Sequence, residues 1–131
     1  MNVLVAGGGG FVGSHLTEAL LDDDHDVTVV DSFCTSSPNN LRFARQTSDL
    51  TVIEADIIDR VPDGDFDCVV HLASRASPPN YQDHPVHTMR TNSEGTLRLL
   101  RVANSNDARF VYASTSEVYG DPDVNPQPES Y

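Results

Sequence analysis

Five short apolar runs, at residues 2–6, 27–30, 51–54, 67–72 and 109–113, recur along the chain with helical or turn-like stretches between them. They are rich in valine and scarcely alternate, the pattern of strands buried on both faces, so they predict a parallel sheet. Between the first two, Phe11–Asp22 carries apolar residues at Leu16, Leu20 and Leu21, at helical spacing. A second, short helix is expected around residues 40–46, and Pro62-Asp63-Gly64-Asp65 is a turn. The longest helix is expected over residues 85–104, with Pro85 in its first turn and Val86, Met89, Leu97, Leu100 and Ala103 as its apolar positions. Gly95 inside it costs roughly 1 kcal/mol against alanine, a sign of close packing or a nearby ligand. The segment 121–131, rich in proline and acid, reads as loop. No repeat or internal linker is visible, and 131 residues suffice for one domain.

Four glycines, Gly7 to Gly10, stand between the first strand and the first helix. A strand, a tight glycine turn and a helix start together make an anion site: a diphosphate can lie almost against the main chain while the unpaired N–H groups of Phe11, Val12 and Gly13 face it. The second strand ends in Asp31, whose carboxylate can accept both hydroxyls of an adenosine ribose. The expected fold is a doubly wound α/β parallel sheet of Rossmann type, strand order 3-2-1-4-5, binding NAD at its carboxyl edge. A glycine turn that holds another phosphate ligand, or none, is the alternative reading. Nothing separately indicates FAD.

Twenty acidic residues oppose eight arginines, with no lysine, for a formal net charge of −12. Such a surface repels polyanions, so nucleic acid and anionic membranes are not expected partners. An acidic chain that keeps regular apolar runs resembles halophilic proteins, in which salt screens the self-repulsion. With neither a leader nor a bilayer-long apolar run, the expectation is a soluble, cytoplasmic protein. Cys34 and Cys68 read as reduced, partly buried thiols. The acidic cluster at residues 22–26 reads as a solvated turn. His84-x-x-His87 has helical ligand spacing but no third ligand, so no metal is expected. His15 and His71 are expected to be core histidines.

Three segments carry a family resemblance: GGGGFVGSHL at residues 7–16, HLASRASPPNYQDHPVHTMRTNSEGTL at 71–97 and ASTSEVYGDPDVNPQPESY at 113–131. The chain resembles the extended short-chain dehydrogenase/reductases that act on nucleotide sugars, the NAD-dependent epimerase/dehydratase family, and within it the branch that decarboxylates UDP-glucuronate. The resemblance implies a pyrophosphate loop at Gly7, Gly10 and Gly13, with Phe11 and Val12 beside it, and a ribose acid at Asp31 followed by Ser32. It places Asp56 and Ile57 at the adenine, and Leu72, Ala73 and Ser114 on the nicotinamide side. Asn92 matches the family's helix asparagine. Thr115, Ser116 and Glu117 match the catalytic triplet; Pro78 and Tyr81 read as a loop over the substrate mouth or a rigid connector, and Tyr119 as a packing or sugar-side residue.

The implied chemistry takes hydride from carbon 4 of a UDP-sugar onto NAD, releases carbon dioxide from the resulting β-keto acid, and returns the hydride. In the triplet a hydroxyl can hydrogen-bond the carbon 4 oxygen, and Glu117 can position the sugar or exchange a proton near carbon 5. Ser116 stands where the related 4,6-dehydratases carry aspartate, which favours decarboxylation over dehydration. A homodimer, built through the helix at 85–104, is implied as well. Ala6, Ser32, Arg75 and His87 depart from the family pattern, the first two in a way expected to weaken cofactor contacts. The family's Tyr-x-x-x-Lys pair, its catalytic base and the lysine that lowers its pKa, does not occur within these 131 residues. They are therefore expected to form a cofactor-binding part that is inactive alone. A 4-epimerase or dehydratase, and a non-catalytic NAD-binding or interaction module, remain as alternatives.

Overall fold

A computed structural model describes every residue except Thr47, and Arg45 without its side chain. Strands β1 (Asn2–Ala6), β2 (Asp26–Asp31), β3 (Leu50–Glu54), β4 (Cys68–His71) and β5 (Arg109–Tyr112) form one sheet in the order β3-β2-β1-β4-β5. Every neighbouring pair is parallel, as the doubly apolar runs predict. Alternate residues of β1 point to opposite faces. Leu4 and Ala6 join Val30, Ile57, Val69, Leu99 and Ala103 in one core layer. Val3 and Val5 join Val27, Val29, Leu41 and Val70 in the other, against Leu16, Leu20 and Leu21 of α1 (Phe11–Asp22).

The expected second helix is instead two short 3-10 turns, Pro38–Leu41 and Ala44–Gln46. Ser37 caps the first through its side chain, and Leu41 is the one residue of that turn in the core. The expected loop at Pro78 and Tyr81 is likewise helical: α2 spans Pro78–Asp83, with a proline in its first turn where its missing N–H costs nothing.

The long helix comprises α3 (Pro85–Arg90), a π-helical stretch Thr91–Gly95 and α4 (Thr96–Ser105). Hydroxyls bond back to carbonyls four residues earlier throughout: Thr88 to His84, Thr91 to His87, Ser93 to Met89 and Thr96 to Asn92. Such back-bonding competes with the ladder and bends helices. Thr91, Gly95, Leu99 and Ala103 form the buried side of this helix, whereas Val86, Met89, Leu97 and Leu100 are exposed. His15 is exposed too, its ring edge-on to Phe11, and is not a core histidine. Cys34 is exposed rather than partly buried, because it follows β2 in the loop outside the sheet; Cys68 is half-buried. Among the described residues no helix is long and apolar enough to cross a membrane.

Candidate cofactor-binding cleft

A cleft of about 530 Å³ opens at the carboxyl ends of β1 to β4, where the strand order reverses between β1 and β4. Ligands of open parallel sheets bind at that switch point. Gly7 and Gly10 form its floor, Asp31 and Ser32 one side, Ala55, Asp56 and Ile57 the next, and Leu72 and Ala73 the opposite wall.

The glycine turn is shaped by the close approach of other backbone. Gly7 has φ +84°, and a Cβ there would stand 2.6 Å from the Ala73 nitrogen; only glycine takes this conformation without strain. A Cβ on Gly13 would collide with the Gly7 carbonyl, so α1 packs directly on the turn. Gly7 donates to Val30 O and Gly10 to Gly7 O. Among the described residues none accepts from the amides of Phe11, Val12 and Gly13, the orphan donors that begin every helix. The side chains of Phe11 and Val12 point to solvent, so any contribution from them is made by the main chain.

Asp31, nearly buried, anchors this turn. Its Oδ2 accepts from Gly9 N at 2.8 Å, and its Oδ1 from Phe33 N at 2.8 Å and the Ser36 hydroxyl at 2.9 Å. A carboxylate has about four acceptor positions, so the protein already fills most of them, and the expectation of two free positions for a ribose is too generous. Asn40 completes the support by donating to Gly9 O at 2.8 Å.

On the side of the cleft formed by Ala55, Asp56 and Ile57, Asp56 Oδ1 accepts from Ile58 N, and Oδ2 lies 2.7 Å from Nε2 of His87. His87 of the His84-x-x-His87 pair is thus engaged with Asp56, and among the described residues no group of three or more His, Cys, Asp or Glu side chains is placed to hold a metal ion. On the far wall, His71 is fully buried. Its Nε2 lies 3.0 Å from the Thr96 hydroxyl, whose proton goes to Asn92 O, and its Nδ1 accepts from Ala73 N. These partners fix the neutral Nε2–H tautomer, and burial pulls the imidazole down from 6.5 to about 4.

Several expected site residues lie elsewhere. Asn92 is exposed, and its neighbour Thr91 lines the cleft instead. Ala6 is fully buried among Leu4, Val30 and Leu99, so its departure from the family pattern has no direct contact with the cleft. Ser114, Thr115, Ser116 and Glu117 follow β5, exposed and outside the cleft wall. Thr115 Oγ1 accepts from Glu117 N at 3.3 Å and starts a 3-10 turn, Ser116–Tyr119. Tyr119 packs edge-on to Tyr131, while Pro78 and Tyr81 lie on exposed α2.

The cleft also gathers Cys34, Thr35 and Ser36 after β2, Ser74 and Arg75 after β4, and His87 and Thr91 from the long helix. Arg75 and His87 carried a signal in the sequence as departures from the family pattern. Thr91 carried none, because a threonine is not counted among the apolar positions of a helix, although it lies on the buried side with Gly95, Leu99 and Ala103.

The sequence pattern of the NAD dependent epimerase/dehydratase family matches residues 3–131. The chain belongs to that family. Among characterised family members it is 47% identical over 129 residues to UDP-glucuronic acid decarboxylase 1 of Xenopus tropicalis, covering 98% of this chain and 30% of the relative. It is 42% identical to UDP-glucuronic acid decarboxylase 5 of Arabidopsis thaliana, covering all of this chain and 38% of that one. The chain therefore spans about a third of the length of these relatives.

Solved structures of the family superpose closely. A UDP-N-acetylglucosamine 4-epimerase from Methanobrevibacter ruminantium M1, in complex with UDP-N-acetylmuramic acid, aligns with a TM-score of 0.86 at 34% identity, over 98% of this chain and 42% of that one. A UDP-glucose 4-epimerase from Stenotrophomonas maltophila, with bound NAD and formylated UDP-arabinopyranose, aligns at 0.85 and 33%, over 99% and 41%. The parallel order β3-β2-β1-β4-β5 is thus the Rossmann-type fold shared with these structures of the family.

Proposed function

We propose that this chain is the NAD-binding part of a nucleotide-sugar enzyme that decarboxylates UDP-glucuronate to UDP-xylose through a 4-keto sugar, working as a homodimer. The observation that carries the reading is the 47% identity to a UDP-glucuronic acid decarboxylase across nearly the whole chain. The dinucleotide reading is supported by helix-start amides that, among the described residues, have no acceptor and lie beside glycines at the switch point, and by a carboxylate that closes β2.

NAD, when bound, supplies a hydride acceptor and donor for carbon 4 of the sugar. This chain's own residues bind and orient, while the family's Tyr-x-x-x-Lys base is not among its 131 residues. The turn Gly7 to Gly10, with the amides of Phe11, Val12 and Gly13, holds the diphosphate. Asp31 and Ser32 hold the adenosine ribose, Asp56 and Ile57 flank the adenine, and Leu72 and Ala73 wall the nicotinamide side, with Ser114 at the strand end nearby. Thr115, whose oxygen accepts from Glu117 N, keeps its hydroxyl proton to donate to the carbon 4 oxygen. Glu117 positions the sugar or exchanges a proton near carbon 5. Pro78, Tyr81 and Tyr119 belong to the substrate side.

A 4-epimerase is the second reading, favoured by the 4-epimerases whose structures superpose on this chain. Replacing the matching segment of the Xenopus decarboxylase with residues 1–131 separates the two. The chimera, purified with NAD bound, is expected to release carbon dioxide and UDP-xylose from UDP-glucuronate. Conversion to the 4-epimer, or an NAD-loaded chimera that is inert beside an active parent, contradicts the proposal.

A further inference from the structure

Among the described residues, Arg75 is the one lysine or arginine side chain that lines the cleft, in a chain that has no lysine at all. It lies in the segment after β4 with Ser74, facing the same space as Gly7 and Gly10. Its Nε is buried and, among the described residues, has no hydrogen-bond partner. The cleft's own carboxylates are committed elsewhere: Asp31 to Gly9, Phe33 and Ser36, and Asp56 to Ile58 and His87.

We propose that Arg75 binds the diphosphate of the dinucleotide, an inference that rests on the NAD-binding reading above. A buried guanidinium N–H without an acceptor bears a desolvation cost, which an incoming acceptor in the guanidinium plane relieves. Phosphate oxygens provide such acceptors together with negative charge, and the planar fork of arginine matches them with two parallel bonds. Stacking on the adenine would present the guanidinium face and leave the buried N–H unmatched. The charge balance makes the contact consequential. A dianionic diphosphate must approach a chain of net charge −12, in a cleft that already holds two carboxylates, and the helix-start amides supply only partial positive charge.

The test titrates NAD, ADP-ribose and adenosine into the 131-residue chain and its Arg75→Gln and Arg75→Lys variants by calorimetry, from about 0.05 to 0.5 M salt. Arg75→Gln is expected to weaken NAD and ADP-ribose roughly tenfold, to leave adenosine unchanged, and to flatten the salt dependence of NAD binding. Arg75→Lys, which keeps the charge without the fork, is expected to fall between. Unchanged NAD affinity and salt dependence in Arg75→Gln, beside a wild type that binds NAD, overturns this inference alone. An equal loss for adenosine moves Arg75 to the nucleoside and also overturns it. A wild type that takes up no NAD brings down the binding reading itself, and the inference with it.

Discussion

Gly95 and Ile57 are packed so closely that a Cβ on Gly95 would stand 2.6 Å from Cδ1 of Ile57. This contact presses the long helix onto the cleft wall, since Ile57 lines the cleft and Gly95 ends the π-helical stretch that carries Thr91 into it. Alanine at 95 gains about 1 kcal/mol of helix propensity but meets a buried side chain, and overpacking costs about 1–3 kcal/mol. Gly95→Ala is therefore expected to lower the melting temperature by roughly 4 °C. Adding Ile57→Val, which deletes Cδ1, is expected to recover part of that loss. Strictly additive effects of the two substitutions in thermal unfolding would contradict the contact.

His71 makes stability depend on pH. An unfolded chain protonates it near 6.5, the folded chain only near 4. Between those values the unfolded state binds more protons, so stability rises with pH there. The contribution is complete above pH 6.5 and is lost as pH falls toward 4, amounting to about 2 kcal/mol after allowance for solvent screening. His71→Gln is expected to flatten this interval in urea unfolding measured at several pH values. The carboxylates titrate in both proteins, so the difference isolates the imidazole. An unchanged slope would show that His71 is not held neutral.

Ser36 competes with a ribose for Asp31. Its hydroxyl occupies Oδ1 at 2.9 Å, so Ser36→Ala releases an acceptor that the nucleoside can use. One such hydrogen bond is worth about 1 kcal/mol net, or roughly fivefold in affinity. Tighter NAD binding by about that factor is the expected outcome in calorimetry. Weaker binding would mean that the hydroxyl serves the ribose itself.

The sheet was legible because its strands are buried on both faces, which writes them into the chain as valine runs, and the glycine turn with Asp31 oriented it. What the pattern could not carry were features fixed by packing between distant segments. Thr91 rather than Asn92 faces the cleft, on the buried side of the long helix with Gly95, Leu99 and Ala103, a side that a polar residue does not announce in the apolar pattern. Ala6 looked like a cofactor contact from its place before the glycines, yet alternation along β1 turns its side chain into the core. The occupancy of Asp31 depends on Ser36 and Gly9, which lie in different loops and meet only once β1 and β2 are paired.

Asp31 is expected to make this cleft select NAD over NADP, and a comparison of the two affinities measures that selection. A carboxylate that is nearly buried and hydrogen-bonded repels the 2′-phosphate of NADP, and like charges a few ångströms apart at a protein surface cost more than enough for a tenfold preference. NAD is expected to bind at least about tenfold tighter than NADP. Asp31→Asn, whose single carbonyl oxygen can still accept from Phe33 and Ser36 while the charge and the acceptor for Gly9 are lost, is expected to abolish most of that preference. Equal affinity for the two cofactors in the wild type, or a preference that survives Asp31→Asn, would contradict the account.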